Sequence, residues 1–232
     1  MPNWVKQNIL FIGKQEQIDE LFENIKSDER IIDFEKIIPM PDTLRITSGS
    51  STDLGIDILK YKETGNDKDL KERLMRPWVI NAGIKTIDEL ILFCIEKGTA
   101  DIESGEKALN NIKLYGHKDW YSWSVDNWGT KWNASDTLKN NNTLSFQTAW
   151  SIAEPILIKL SEMFPEINIH VEFADEDIGS NCGEFNLVNG LISDFITFDG
   201  IKSCEVWGYD PAEYFPEIMR DRRIDEVLKR ED

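Results

Sequence analysis

The stretch EPILIKLSEMFPEINIHVEF (154–173) predicts a helix that is followed directly by a strand. Pro155 suits the first turn of a helix, where a missing N–H does no harm, and Pro165 ends the same helix. From 167 to 173 apolar and polar residues alternate, which is the period of a strand with one buried face. The residues of the helix that we expect to face inward are Ile156, Leu157, Leu160 and Phe164.

The N-terminal part of the chain shows the same kind of pattern. Residues 5–13 (VKQNILFIG) combine alternation with a short apolar run and predict a strand. Residues 15–27 carry apolar side chains at helical spacing and predict a helix. In residues 33–41 (DFEKIIPMP) the two prolines exclude a central strand or a helix that continues there, so we expect a short edge strand and an extended turn.

Three more strands are predicted around the opening stretch. Residues 142–150 (NTLSFQTAW) alternate, and CGEFNLVNG (182–190) and LISDFITFDG (191–200) are joined by an Asn-Gly pair typical of a tight hairpin. The predicted order is β-α-β, helical insertion, β-α-β-β-β, α. This order favours an α+β fold, a ferredoxin-like α/β sandwich with a mostly antiparallel sheet.

The whole chain, 1–232, is expected to be a single domain that contains a helical insertion at 42–118. Residues 42–66 are rich in Ser, Thr, Gly and Asp and predict a loop at the start of this insertion. The helices that follow include one with Thr86 as its predicted N-cap. A C-terminal helical tail is expected over 211–232.

The composition excludes several classes of protein. Hydrophobic residues make up 41% of the chain, enough for a core, and no stretch reaches the roughly 20 apolar residues of a membrane span. The N-terminus shows no secretory leader, so we expect a cytoplasmic location and no membrane partner. Three cysteines at scattered spacing form neither a disulfide framework nor a zinc site, and no cofactor or metal is predicted.

The charge is strongly negative, with a net value of −17. From Glu166 to Glu217 there are 12 acidic residues and one lysine, a net charge of −11. Such a field repels nucleic acid, so direct nucleic-acid binding is not expected. A solvated acidic surface is the simpler interpretation of this segment.

A tryptophan-rich segment between Trp120 and Trp132 is the most unusual feature of the sequence. Aromatic rings beside amides and carboxylates are the groups that bind sugars, bases and peptides. The alternative is a packed core cluster with its N–H groups hydrogen-bonded. Because Gly129 is expected to end the helix, the residues after it can present polar groups. The candidate binding residues are Trp128, Lys131, Trp132, Asn133, Asp136, Asp126, Asn127 and Trp150.

The sequence carries no signature of a known catalytic site. The two histidines, His117 and His170, are best interpreted as surface or capping residues, and no nucleophile motif accompanies them. Catalytic residues are therefore not assigned, and whether the protein is an enzyme stays open.

Several sequence segments, taken together, resemble those of a known family. MPNW opens the chain, DFEKIIPMP follows the first helix, and NWGTKWNASD (127–136) and FQTAWS (146–151) are the most specific. They resemble the YubB-like family of phage- and plasmid-borne proteins with a ferredoxin-like domain, over nearly the whole chain. The resemblance implies that fold and a bacterial mobile-element setting, and it implies no activity.

These observations favour a non-enzymatic binding protein of a mobile element, with a host protein or a small ligand as its partner. One alternative is a hydrolase or transferase that uses Asp126, Asp136 or His117. A second is an acidic mimic of nucleic acid that blocks a host DNA-binding protein. The oligomeric state is not predicted.

Overall fold

The computed structural model describes residues 2–221 and divides the chain into two compact units. The sheet unit contains the residues up to Pro39 and those from Ser124 onward, and the helical unit is Met40–Trp123. The interpretation of 42–118 as an insertion within one domain stays a prediction.

A six-stranded sheet forms the centre of the sheet unit. Its spatial order is β2-β3-β1-β4-β5-β6, and neighbouring strands are antiparallel throughout. The strands are β1 (Trp4–Ile12), β2 (Ser135–Asn140), β3 (Thr143–Ala149), β4 (Asn168–Asp175), β5 (Gly183–Val188) and β6 (Leu191–Thr197). With the helices around it, this sheet confirms the predicted α+β class with antiparallel pairing.

The helices of the sheet unit are α1 (Gln15–Ile25), α2 (Phe34–Ile37), α9 (Glu154–Met163), α10 (Gly200–Trp207) and α11 (Pro211–Tyr214), and residues 216–221 are also helical. Those of the helical unit are α3 (Ser50–Thr64), α4 (Lys68–Leu74), α5 (Pro77–Asn81), α6 (Ile87–Glu96) and α7 (Ile102–Tyr115), after a 3-10 turn at Asp42–Leu44. The helix α8 (Trp120–Trp128) carries residues of both units. Residues 222–232 of the predicted tail lie outside the described residues.

One face of the sheet is apolar because the strand residues alternate. Register places Val5, Ile9 and Phe11 of β1 in line with buried residues of β3, β4 and β5. Phe11 meets Phe22 of α1 edge to face at 5.3 Å between ring centroids. The inward residues of α9 are buried as predicted, except for Phe164, which is partly exposed.

The opposite face of the sheet is mostly polar and is partly covered by α10. The Asn8 amide donates to the Val206 carbonyl at 3.1 Å, and the Lys6 ammonium donates to the Trp207 carbonyl at 3.3 Å. The Trp207 indole N–H in turn donates to the Asp175 carbonyl at 2.9 Å. α10 was not predicted from the sequence, although Asp199 caps it through a hydrogen bond from the Lys202 N–H.

Three other segments differ from the sequence predictions. The expected edge strand in 33–41 is the helix α2, because the Asp33 side chain caps it by accepting from the Glu35 N–H. The loop expected over 42–66 contains α3, whose apolar residues Leu54 and Ile58 are flanked by polar residues in the sequence but are buried in an apolar cluster with Leu70, Val79 and Leu90. The strand β2 was not predicted because it is a polar edge strand with alternating but mostly exposed residues.

The helical unit depends on a close approach of α3 to α7. A Cβ placed on Gly55 would lie 2.2 Å from the Asp101 carbonyl oxygen, and one on Gly105 would lie 2.8 Å from the carbonyl carbon of Gly55. Glycine is therefore required at both positions, since real Cβ contacts are never this short. The predicted cap Thr86 of α6 is confirmed, because its hydroxyl accepts from the Glu89 N–H at 3.2 Å.

Candidate functional site

The ammonium group of one lysine in the sheet unit lies over the rings of two exposed tryptophans. The Lys131 ammonium is 4.4 Å from the centroid of the Trp132 ring and 5.1 Å from that of Trp150. Both distances are within the range of a cation–π interaction. Trp132 is 38% exposed and Trp150 is 46% exposed, so solvent reaches both indoles.

A third tryptophan extends this surface. The rings of Trp4 and Trp132 are 6.2 Å apart between centroids and tilted by 34°. β1 pairs with β3 in a register that sets Trp4 opposite Ala149, the residue before Trp150. We call the surface formed by Trp4, Lys131, Trp132 and Trp150 the aromatic ledge.

The backbone of Trp150 has an unusual conformation. Its φ is +70°, in the left-handed region that residues with a side chain rarely adopt. The Trp150 N–H donates to the Asn3 carbonyl at 2.8 Å, which fixes this conformation at the end of β3. Such strain persists where the surrounding structure over-determines it, and it is concentrated at binding and catalytic sites.

An open cleft lies against the ledge. Its volume is about 640 Å³, which is in the range of small-molecule sites. The Arg30 guanidinium in its wall donates to the Ala134 carbonyl at 2.8 Å and is thereby held in place. The residues that line the cleft are Trp4, Glu29, Arg30, Trp132, Asn133, Ala134, Ser135, Asp136 and Thr137.

Trp128 has a different environment from the other candidate tryptophans. It is 5% exposed, and its indole N–H donates to the Ile38 carbonyl at 2.9 Å. Its ring meets that of Phe34 edge to face at 5.8 Å. Trp128 is therefore a packed core residue with its N–H group hydrogen-bonded, whereas Trp132 and Trp150 lie at the surface.

Asn133 connects β2 to α2. Its side-chain oxygen accepts from the N–H groups of Phe34 at 3.0 Å and Ala134 at 2.9 Å, and its amide donates to the Asp33 carboxylate at 2.7 Å. Burial opposes ionisation of Asp33, but the hydrogen bonds from Asn133 and from the Glu35 N–H hold its pKa below the usual value. Asn133 thus has a structural role at the edge of the cleft.

The candidate acidic groups are spread over different elements. Asp136 lines the cleft, has a φ of +47° and accepts a hydrogen bond from the Gln147 amide at 2.6 Å. Asp126 is exposed and Asn127 is partly buried near the end of α8, and neither contributes to the cleft lining. His117 belongs to the helical unit.

The sequence did not point to Trp4, Glu29 or Arg30 as site residues. They lie about 100 residues or more before Trp132, and no local motif links them to it. Strand register brings Trp4 to the ledge, and the cap of α2 brings the preceding turn to β2. The sequence signal that could have found Trp4 is a tryptophan directly before the first predicted strand.

Residues 127–216 match the family model described as a ferredoxin-like domain in Api92-like protein. The match covers less than half of the 232 residues and includes β2 to β6, α9 and α10. It shows a ferredoxin-like domain in this part of the chain, as predicted. The YubB-like resemblance is not tested by this match.

Among solved structures, the chain is similar to the crystal structure of a protein api92 from Yersinia pseudotuberculosis. The identity is 13%, the TM-score is 0.40, and the similarity covers 85% of this chain and 98% of that chain. A TM-score this low supports no transfer of function. No protein with a curated description matches the chain.

Within the described part of the chain, no helix is long and apolar enough to cross a membrane.

Proposed function

We propose that this chain is a binding protein and that the aromatic ledge, with its cleft, takes a small ligand. The observation that carries the proposal is the Lys131 ammonium over two exposed indole rings. Three tryptophans at a water-facing surface leave apolar rings partly solvated, and apolar surface of this kind marks binding sites. The cleft beside them supplies both cationic and anionic groups, Arg30, Glu29 and Asp136.

The chemistry of the ledge favours a neutral ligand with flat apolar faces and polar edges. Indole rings stack on the C–H face of a sugar or on a proline or aromatic side chain. The polar groups in the cleft wall would then hydrogen-bond the edges of the same ligand. A sugar ring fits this description best, because it combines one apolar face with a rim of hydroxyls.

Intrinsic fluorescence tests the proposal. We expect titration with a panel of mono- and oligosaccharides to quench or shift the tryptophan emission of the wild type with saturable dependence. The double substitution Trp132→Ala with Trp150→Ala should abolish this change. Trp78→Ala is the matched control, because Trp78 is a 45% exposed tryptophan of the helical unit.

Two results would count against the proposal. One is a panel in which no sugar changes the emission of the wild type. The other is an equal loss of response in the Trp78→Ala control. If the ledge variant instead loses a host protein in pull-down experiments while no sugar binds, the ledge is a protein-binding surface.

We further infer a bacterial mobile-element setting and a cytoplasmic location. The support is the resemblance of NWGTKWNASD (127–136) and FQTAWS (146–151) to the YubB-like proteins. Both segments carry ledge residues, since the first contains Lys131 and Trp132 and the second contains Trp150.

A hydrolase or transferase is a second candidate function, because Asp136 lines the cleft. A hydrogen bond from the Gln147 amide at 2.6 Å holds this carboxylate in place. Turnover of a sugar found in the fluorescence screen, lost in Asp136→Asn, would establish it. Binding without turnover would refute it.

The hypothesis that the acidic segment mimics nucleic acid has less support than ligand binding at the aromatic ledge. Several acids between 166 and 217 have local roles: Asp199 and Asp210 cap helices, Asp175 is buried, and Glu172 and Glu205 pair with Lys202. A mimic requires its carboxylates to face solvent in an array.

A further inference from the structure

A cluster of ionisable side chains lies on the polar face of the sheet where β4 and β5 pair. His170 and Glu172 share one face of β4 because they are two residues apart. Register sets His170 opposite Asn186 and Glu172 opposite Glu184. One nitrogen or oxygen of each of His170, Glu172 and Glu184 lies within 4.8 Å of the others.

The hydrogen bonds around the imidazole determine which nitrogen faces the carboxylates. His170 Nδ1 is 2.9 Å from Asn186 Oδ1, and the Asn186 amide donates to the Asp194 carboxylate. Because Asn186 presents its oxygen to the ring, Nδ1 carries the proton and donates. Nε2 therefore faces Glu184, at 3.6 Å from its Oε2, and is the ring nitrogen that is available to a metal ion.

The two glutamates carry an electrostatic cost that one lysine offsets in part. Like charges at directly opposed positions of paired strands destabilise a sheet. Lys202 of α10 donates to Glu172 Oε1 at 3.0 Å, and this hydrogen bond raises the pKa of Lys202. A cation beside Glu184 and the second oxygen of Glu172 would relieve the repulsion that remains.

We propose that His170, Glu172 and Glu184 bind a divalent transition metal, with zinc as the best fit. An imidazole with two carboxylates is a donor set for zinc, and the imidazole disfavours magnesium and calcium, which prefer oxygen ligands. A fourth position stays open to water, as in three-ligand zinc sites. The site is separate from the aromatic ledge and independent of its function.

The distances between the three ligand atoms suit coordination of one zinc ion after small side-chain rotations. Zinc–ligand bonds of about 2.0–2.2 Å place neighbouring ligand atoms roughly 3.3 Å apart in a tetrahedron. The 3.6 Å between His170 Nε2 and Glu184 Oε2 is close to this value. The widest separation, 4.8 Å at most, falls within the reach of glutamate side-chain rotation.

The hydrogen bond from His170 Nδ1 to Asn186 has the form of a supporting contact behind a metal ligand. Metal-bound histidines usually donate their other N–H to an oxygen, which orients the ring. Removing such a contact weakens metal affinity by about 10–100-fold. Asn186 is therefore a positioning residue in this proposal.

Calorimetric titration of full-length protein with zinc chloride, after dialysis against a chelator, tests the site. We expect one equivalent to bind to the wild type. His170→Ala and Glu184→Gln should lose binding, and Asn186→Ala should weaken it by about 10-fold. His117→Ala is the matched control, since it removes the other histidine of the chain and should leave binding unchanged.

Histidine NMR gives a readout that does not depend on how the variants fold. Zinc should shift the imidazole resonances of His170 in the wild type and leave those of His117 in place. The proposal is overturned by a wild type that binds no zinc with saturation. It is equally overturned by a folded His170→Ala protein that binds zinc as the wild type does, or by zinc that leaves His170 unshifted.

Discussion

Replacement of Asn133 by alanine should lower the free energy of unfolding by about 2–4 kcal/mol. The substitution removes three hydrogen bonds, two to backbone N–H groups and one to the Asp33 carboxylate. Phe34 is fully buried, so its N–H loses its partner away from water, which costs about 1–3 kcal/mol. The hydrogen bond to the charged Asp33 adds about 1.5–3 kcal/mol, and such contributions are not fully additive.

The pH dependence of this loss has a definite sign. Asp33 has a pKa below its ordinary value of 3.8, so its ionisation stabilises the folded state above that pH. This stabilisation is lost as the pH falls through the folded pKa. In Asn133→Ala the burial of Asp33 remains while a hydrogen bond is gone, so its pKa should rise. The difference between variant and wild type should therefore shrink as the pH falls below about 4.

Urea unfolding at several pH values, with NMR titration of the Asp33 carboxyl, measures both effects. Asn140→Ala is the control, because Asn140 is an exposed residue at the end of β2, the strand that follows Asn133, and should change stability by less than about 0.5 kcal/mol. Asn133→Asp keeps an acceptor for the two backbone N–H groups but sets a second carboxylate against Asp33, so its loss of stability should be larger at neutral pH than below about pH 4. A loss in Asn133→Ala no larger than in the control would refute the structural role of Asn133.

Three further substitutions test local features of the fold. Trp150→Gly should be more stable than Trp150→Ala by about 1 kcal/mol in urea unfolding, because both variants lack the ring and glycine adopts a positive φ without strain. Equal stabilities of the two variants would show that the backbone at this position is unstrained. Gly55→Ala should destabilise the helical unit by more than about 2 kcal/mol, because its Cβ would overlap the Asp101 carbonyl, and thermal unfolding by circular dichroism measures this; a neutral result would mean that the helices separate freely. Thr86→Ala should cost about 1 kcal/mol in the same assay while Thr86→Ser costs little, since either hydroxyl caps the Glu89 N–H; similar losses in both would exclude the cap as the cause.

The elements with strong periodicity could be predicted from the sequence. The helix after Pro155 and the alternating strand after Pro165 lie where the pattern places them, as α9 and β4. The Asn189–Gly190 hairpin also forms, with positive φ at both residues. In these segments local propensity and the buried face agree, so a single sequence is sufficient.

The elements that were missed are those whose sequence is dominated by polar residues. In α3, the serine, threonine and glycine residues obscure the helical spacing of a few apolar residues. Gly55 allows close helix packing and does not form a turn. In 33–41 the prolines suggested an extended chain, whereas the Asp33 cap and its bond to Asn133, 100 residues later, stabilise a helical turn. A contact between residues so far apart in the sequence produces no local sequence pattern.

The site was predicted in part for the same reason. Lys131, Trp132 and Trp150 stand out by composition, and the structure brings them together. Asn133 belongs to the same segment but faces α2, where its side-chain oxygen accepts from the Phe34 N–H. Packing against distant segments decides which residues of a polar, aromatic-rich segment face solvent. The spacing of residues within the segment does not contain that information.

The central position of β1 has a consequence for biosynthesis. Its two sheet neighbours, β3 and β4, begin at Thr143 and Asn168, more than a hundred residues later in the chain. At a ribosomal rate of about 5–20 residues per second, the first strand waits roughly 7–26 s for a partner. During that interval Val5, Ile9 and Phe11 emerge without the sheet that later buries them. The nascent chain thus exposes a strand that chaperones can bind, while the helical unit is completed before the sheet can close.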